Sequence, residues 1–130
     1  MNTKVETITE ALGLGRLAEI ISKSKYNSFP VVSGEKKLTG ILSFFDYNEA
    51  IFDENLKGLV VAKDIATSDV VTISTDDNLY NALEKITFKD FSILPVVSTD
   101  DPTKLIGVLT RRDIMGAYNK AVIKKSLYSE

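Results

Sequence analysis

The second half of the chain repeats the first, and this repeat limits the possible folds more than any other feature. At an offset of 65 residues, Val5 falls on Val70, Thr7 on Thr72, Ile8 on Ile73, Leu14 on Leu79, Ile21 on Ile86 and Tyr26 on Phe91. Pro30-Val31-Val32-Ser33 falls on Pro95-Val96-Val97-Ser98. An insertion of two residues around Asp100 to Thr103 then moves the offset to 67, where Leu38 meets Leu105, Gly40 Gly107, Leu42 Leu109, Asp46 Asp113 and Ala50 Ala117. A turn at the surface tolerates such an insertion. Whatever the first half folds into, the second half folds into as well.

Each copy reads as strand, helix, strand, turn, strand, helix. In the second copy, Val70 to Ile73 is short and β-branched, Asp77 is placed to cap a helix over Asn78 to Phe88, and Ile93 to Val97 is a continuous apolar strand. Asp100-Asp101-Pro102 makes the turn, Leu105 to Leu109 returns, and a last helix starts near Arg111. Its Ile114, Ala117, Tyr118, Ala121 and Val122 keep a helical stripe, which predicts one buried and one solvated face, and Lys120, Lys124 and Lys125 suit its carboxyl end. Copies this short cannot each cover both helix and sheet faces, so the two are expected to pack on each other with pseudo-twofold symmetry. The expected fold class is α/β (α+β), each copy a small three-stranded sheet with two helices. The copies span 1–55 and 70–126, and a connecting segment, 56–69, carries a short packed helix.

Composition removes most catalytic chemistry. The 130 residues include no histidine and no cysteine, which excludes imidazole bases, thiol nucleophiles, disulfides and His or Cys metal sites. A net charge of −2 argues against nucleic-acid binding driven by counterion release. The apolar run Leu59 to Ala62 is far below the roughly 18 residues that span a bilayer, and MNTKVETITE has no signal-peptide apolar region. These features fit a cytoplasmic location. No metal site and no base for a nucleophile is evident, and a non-enzyme is expected.

The chemistry left over lies in the tail of each copy, Gly40-Ile41-Leu42-Ser43-Phe44-Phe45-Asp46 and Gly107-Val108-Leu109-Thr110-Arg111-Arg112-Asp113. Ser43 and Thr110 stand where a helix cap would, with an acid three residues on, as in a capping box. Arg111 and Arg112 sit in a first helical turn, where the macrodipole disfavours cations, so the fold alone gives no reason for them. A bound anion would: exposed amides and two guanidiniums suit a phosphate, and Asp113 suits both hydroxyls of a ribose. Phe44 and Phe45 replace the arginines in the first copy, so a phosphate-bearing ligand is expected to prefer one cleft over the other.

The tandem copy, the PVV strands and the Gly-x-x-Ser/Thr-x-x-Asp tails resemble a CBS-domain pair, or Bateman module, over roughly Thr3 to Val122. That resemblance implies a regulatory module binding ATP, ADP or AMP in clefts between the copies, with Asp113 and Asp46 as ribose-binding acids and Thr110 and Ser43 as the accompanying hydroxyls. It also implies association into a flat homodimer through the helices, here through Phe44, Phe45, Ile51, Ile114 and Tyr118. More narrowly, Lys25-Tyr26-Asn27-Ser28-Phe29-Pro30-Val31-Val32 and Arg111 to Asn119 are similar to the cytoplasmic CBS region of ClC-type chloride channels and transporters. This implies that the base lies against Tyr26 and Asn27 with Val5 nearby, that Arg112 and Asp113 reach phosphate and ribose, and that the partner is a membrane transporter. The alternative is a dimerisation module that binds no ligand.

Three other patterns are weak. Gly13-Leu14-Gly15-Arg16-Leu17-Ala18 matches a dinucleotide fingerprint, but its acid, Glu35, falls in a hairpin turn and the second copy lacks the glycines. No G-x-x-x-x-G-K phosphate loop occurs. Asp76-Asp77 and Asp100-Asp101 lack EF-hand spacing and read as cap and turn residues.

Overall fold

The structure is a computed structural model, described over residues 3, 5–52, 60–88 and 92–128, with the side chains of 88 and 125–128 left aside. The first copy comprises β1 (Ile8–Thr9), α1 (Leu14–Lys23), β2 (Ser28–Val32), β3 (Leu38–Ser43) and α2 (Phe44–Ile51). After α3 (Ala62–Ile65), the second comprises β4 (Ile73–Ser74), α4 (Leu79–Phe88), β5 (Ile93–Val97), β6 (Leu105–Thr110) and α5 (Arg111–Tyr128). The expected order of elements is therefore present in both copies. Leu56 to Leu59 of the connecting segment, Phe91 and the side chain of Lys125 lie outside the described part.

The sheets are two three-stranded units of identical order, β1-β2-β3 and β4-β5-β6. In each, the first strand pairs parallel with the second and the third antiparallel to it, with Ile8 on Val31 and Ile73 on Val96 in equivalent register. The central strands, SFPVV and ILPVV, are buried along their whole length, as strands covered on both faces must be. Pro30 and Pro95 are tolerated there because β1 and β4 reach only the two valines beyond each proline, so no ladder bond to those strands is lost.

α1 buries Leu17 and Ile21, with Leu14 and Ile20 packed alongside, on the core of Ile8, Phe29, Val31 and Leu42. α4 does the same with Ala82 and Ile86 against Ile73, Leu94 and Val96. A third cluster, Ile41, Ile93 and Val108, ringed by Val5, Tyr26 and Val70, joins the two copies. The hairpins also meet: Leu38 N–H donates to the Thr103 carbonyl at 2.7 Å, and Lys37 bridges Lys104. The expected pairing of the copies is present.

Several local expectations change. β4 starts at Ile73, not Val70. Asn78 caps α4, accepting from Asn81 N–H at 2.8 Å, while Asp77 turns back to accept from Ser74 N–H at 2.8 Å. The stripe of α5 is buried only at Ile114. Ala117, Tyr118, Ala121 and Val122 are exposed, and none of them packs against the cluster that encloses Ile114. The connecting segment does hold a short packed helix, with Ala62 fully buried and Asp64 accepting from Val61 N–H at 3.0 Å.

Candidate ligand cleft

Both sheets feed directly into a helix with no intervening loop, and the first helical N–H is satisfied in the same way each time. Phe44 N–H donates to the Asn27 carbonyl at 2.7 Å and Arg111 N–H to the Ser92 carbonyl at 2.8 Å. These bonds tie the start of α2 and α5 to the residue preceding each central strand. The remaining amides of a helix start are satisfied by a side-chain acceptor, by water or by a ligand.

Here the copies part. In the first, Asp46 N–H donates to Ser43 Oγ at 3.1 Å and Ser43 N–H donates to Asp46 Oδ2 at 3.0 Å, which closes a reciprocal capping box. In the second, Asp113 N–H donates to Thr110 Oγ1 at 3.0 Å, but the return bond is not formed. The Asp113 carboxylate has no hydrogen bond or salt bridge among the described residues, and the side chain is exposed. One acid caps; the other is available.

That available carboxylate opens onto a cleft of about 830 Å³ between the copies, a volume within the range of small-molecule sites, about 300–1,000 Å³. The first copy contributes Lys25, Tyr26 and Asn27 to its wall; the second contributes Ser92, Thr110, Arg111, Arg112, Asp113 and Met115. Three cations stand there against one carboxylate, which favours an anionic guest carrying a group for Asp113 to accept from. Lys25 Nζ lies 5.6 Å from the centre of the Tyr26 ring, a cation–π contact.

The two arginines differ. Arg111 donates from Nη2 to the Ile86 carbonyl at 2.9 Å, near the carboxyl end of α4 where a cation is favourable. The expectation that the fold gives no reason for a cation there is thus corrected for Arg111. Arg112 is exposed and makes no salt bridge among the described residues.

Of the residues singled out from sequence, Tyr26, Asn27, Thr110, Arg111, Arg112 and Asp113 share this cleft. Val5 lies elsewhere, beside Tyr26 in a narrow gap with Pro30, Ile93 and Val108. Ser43 and Asp46 do not line the cleft and are held in their own box. Lys25, Ser92 and Met115 also line the cleft and were not anticipated as site residues. Ser92 was within reach, since it is the counterpart of Asn27 at the repeat offset of 65; Met115 carries no such signal.

Gly13 and Gly15, the glycines of the discounted fingerprint, have open space around them, so neither is required by a close approach. Among the described residues, no cluster of three or more acids is placed to hold a metal, and no helix is long and apolar enough to cross a membrane.

The model of the CBS domain family matches residues 1–53 and 61–120, the greater part of both copies. The chain belongs to the CBS domain family. Within it, the pair is 31% identical over 112 residues to a homoserine O-acetyltransferase of Methanohalobium evestigatum, covering 85% of this chain and 21% of that protein. It is 34% identical over 111 residues to an inosine-5'-monophosphate dehydrogenase of Methanocaldococcus jannaschii, covering 85% of this chain and again 21% of the relative. The CBS pair spans between 21% and 36% of the length of the first curated relatives it matches. Among solved structures, CBSX2 in complex with AMP superposes with a TM-score of 0.76 at 25% identity, covering 91% of this chain and 90% of that one. The cytosolic domain of the Mg2+ channel MgtE in complex with ATP shares the fold, at a TM-score of 0.73 and 20% identity, with 88% of this chain and 45% of that one covered.

Proposed function

We propose that this CBS pair is a non-catalytic sensor that binds one adenine nucleotide, AMP, ADP or ATP, in the cleft between its copies. The observation that carries the reading is the half-open cap of the second copy. Asp113 is left unpaired beside Thr110 and Arg112, opposite Tyr26 and Asn27, an arrangement suited to ribose hydroxyls, phosphate and base respectively. Two CBS structures of the same fold hold AMP and ATP, which supports the ligand class. Val5 supports the base only indirectly, through Tyr26, and Ser43 and Asp46 serve the fold and not the ligand. Occupancy changes how the copies pack, and through them an attached or associated protein in the cytoplasm. An ion transporter is the partner favoured by the ClC-like segments, and the Mg2+ channel with the same fold supports that choice. The test is equilibrium dialysis of the chain against AMP, ADP and ATP: saturable binding of at least one supports the reading, and no binding of any overturns it.

A second reading, association without a ligand, is favoured by one observation, the exposed Phe44, Phe45, Val122 and Ile123 on the outer helices, with Phe52 just past the end of α2. Association and sensing are compatible, and the dialysis separates them.

A further inference from the structure

Ser92 presents a contradiction that the proposed nucleotide site does not by itself explain. Its hydroxyl oxygen is buried and has no hydrogen-bond partner, the only such side-chain atom among the described residues. Buried hydroxyls are nearly always satisfied, and leaving one unsatisfied costs roughly 1–3 kcal/mol. The backbone gives it no freedom to leave, because the Ser92 carbonyl accepts the Arg111 N–H at 2.8 Å and the next residue, Ile93, pairs with Thr110 across the sheet. The backbone of Ser92 is thus fixed at the junction where β5 meets the start of α5, in the wall of the cleft that holds Thr110 and Asp113. The equivalent position in the other copy is Asn27, also polar and also in that wall. Nothing in the packing asks for a hydroxyl at position 92, where alanine would fill nearly the same space without a polar atom to satisfy.

We propose that Ser92 is a ligand-binding residue of the cleft, whose hydroxyl is held without a partner in the free protein and is satisfied by a rotation about χ1 when the nucleotide arrives. This rests on the nucleotide reading above. It adds a further polar contact from the second copy, one that acts on the base or sugar and not on the phosphate, since a neutral hydroxyl is a poor substitute for the cations already present. Removing the hydroxyl is then expected to have opposite effects on folding and on binding. Removing a hydroxyl kept for structural reasons would lower stability and leave affinity unchanged.

The test compares Ser92→Ala with the wild-type chain by thermal denaturation without ligand and by calorimetric titration with AMP and ATP. The expected result is a melting temperature equal to or above wild type, together with an affinity about 3- to 12-fold weaker for both nucleotides. Asp113→Ala is the control. Binding by wild type that weakens in Asp113→Ala but not in Ser92→Ala overturns the role of Ser92 and leaves the nucleotide site standing. A fall in melting temperature with unchanged affinity also overturns it, making the hydroxyl structural. Failure of the wild-type chain to bind either nucleotide removes the nucleotide reading and this inference with it.

Discussion

Asp46 and Asp113 occupy equivalent positions in a repeated sequence, yet one is consumed by its own helix and the other is not. The difference is a single hydrogen bond, Ser43 N–H to Asp46 at 3.0 Å, that has no counterpart at Thr110. Sequence alone placed both acids in the motif and could not tell which would be free, because the choice depends on a side-chain torsion. The contrast of Phe44 and Phe45 with Arg111 and Arg112 predicts unequal clefts for a phosphate-bearing ligand, an expectation that binding measurements test. Two other carboxylates contribute to the response to acid. Asp77 is held below the ordinary value of 3.8 chiefly by the Ser74 N–H, then by Asn81 and the Lys85 ammonium, against an opposing effect of burial. Asp101 is held below it by the hydroxyl and N–H of Thr103. A carboxyl depressed in the folded state contributes stability that is present above the unfolded value and lost as pH falls through the folded one. The melting temperature is therefore expected to drop as pH falls below about 3.8, and Asp77→Asn with Asp101→Asn to give a lower but flatter profile over the same range. A profile as steep as wild type in the double variant would assign the acid response to other groups.

At the scale of elements, the strands and helices were legible because apolar runs and periodicities repeat, and each copy corroborates the other. What the sequence hid were contacts made across long separations. Gly40 is an example: β3 pairs with the segment after α3, Ile41 N–H donating to the Thr67 carbonyl at 2.9 Å and Thr67 N–H donating back at 2.8 Å. A Cβ on Gly40 would stand 3.0 Å from the Thr67 carbonyl oxygen and 3.4 Å from Ala66 Cβ. Gly40→Ala is expected to destabilise the chain by about 1–3 kcal/mol, the usual cost of overpacking, measured by urea unfolding. An unchanged midpoint would mean that the connecting segment yields freely. α5 was misread for a related reason: helical periodicity shows which residues share a face, not whether anything lies beneath them. Ile114 is enclosed in the second copy's core; Tyr118 and Val122 are exposed.

For the whole molecule, pseudo-twofold pairing buries the inner faces of both sheets and leaves apolar side chains on the outer helices. Phe44 is 47% exposed, Phe45 67% and Val122 47%, whereas Ile114, expected at a dimer surface, is enclosed in the second copy's core. Association of two chains through α2 and α5 would cover that surface. A homodimer is expected by light scattering at micromolar concentration, and Phe44→Glu is expected to shift it toward the 14.3 kDa monomer, because an unpaired carboxylate at an apolar contact is strongly disfavoured. A monomer at high concentration, unchanged by Phe44→Glu, would remove self-association from the account of the isolated pair.

The central claim is that one cleft, the one holding Asp113, takes the nucleotide. Calorimetric titration with AMP, ADP and ATP of the wild-type chain, Asp113→Ala and Asp46→Ala tests it most directly. The account expects one site per chain, an affinity roughly tenfold or more weaker in Asp113→Ala from loss of charge-assisted hydrogen bonds, and wild-type affinity in Asp46→Ala despite about 1 kcal/mol of lost stability from its broken cap. Two sites of equal affinity, or binding lost in Asp46→Ala and kept in Asp113→Ala, would contradict it.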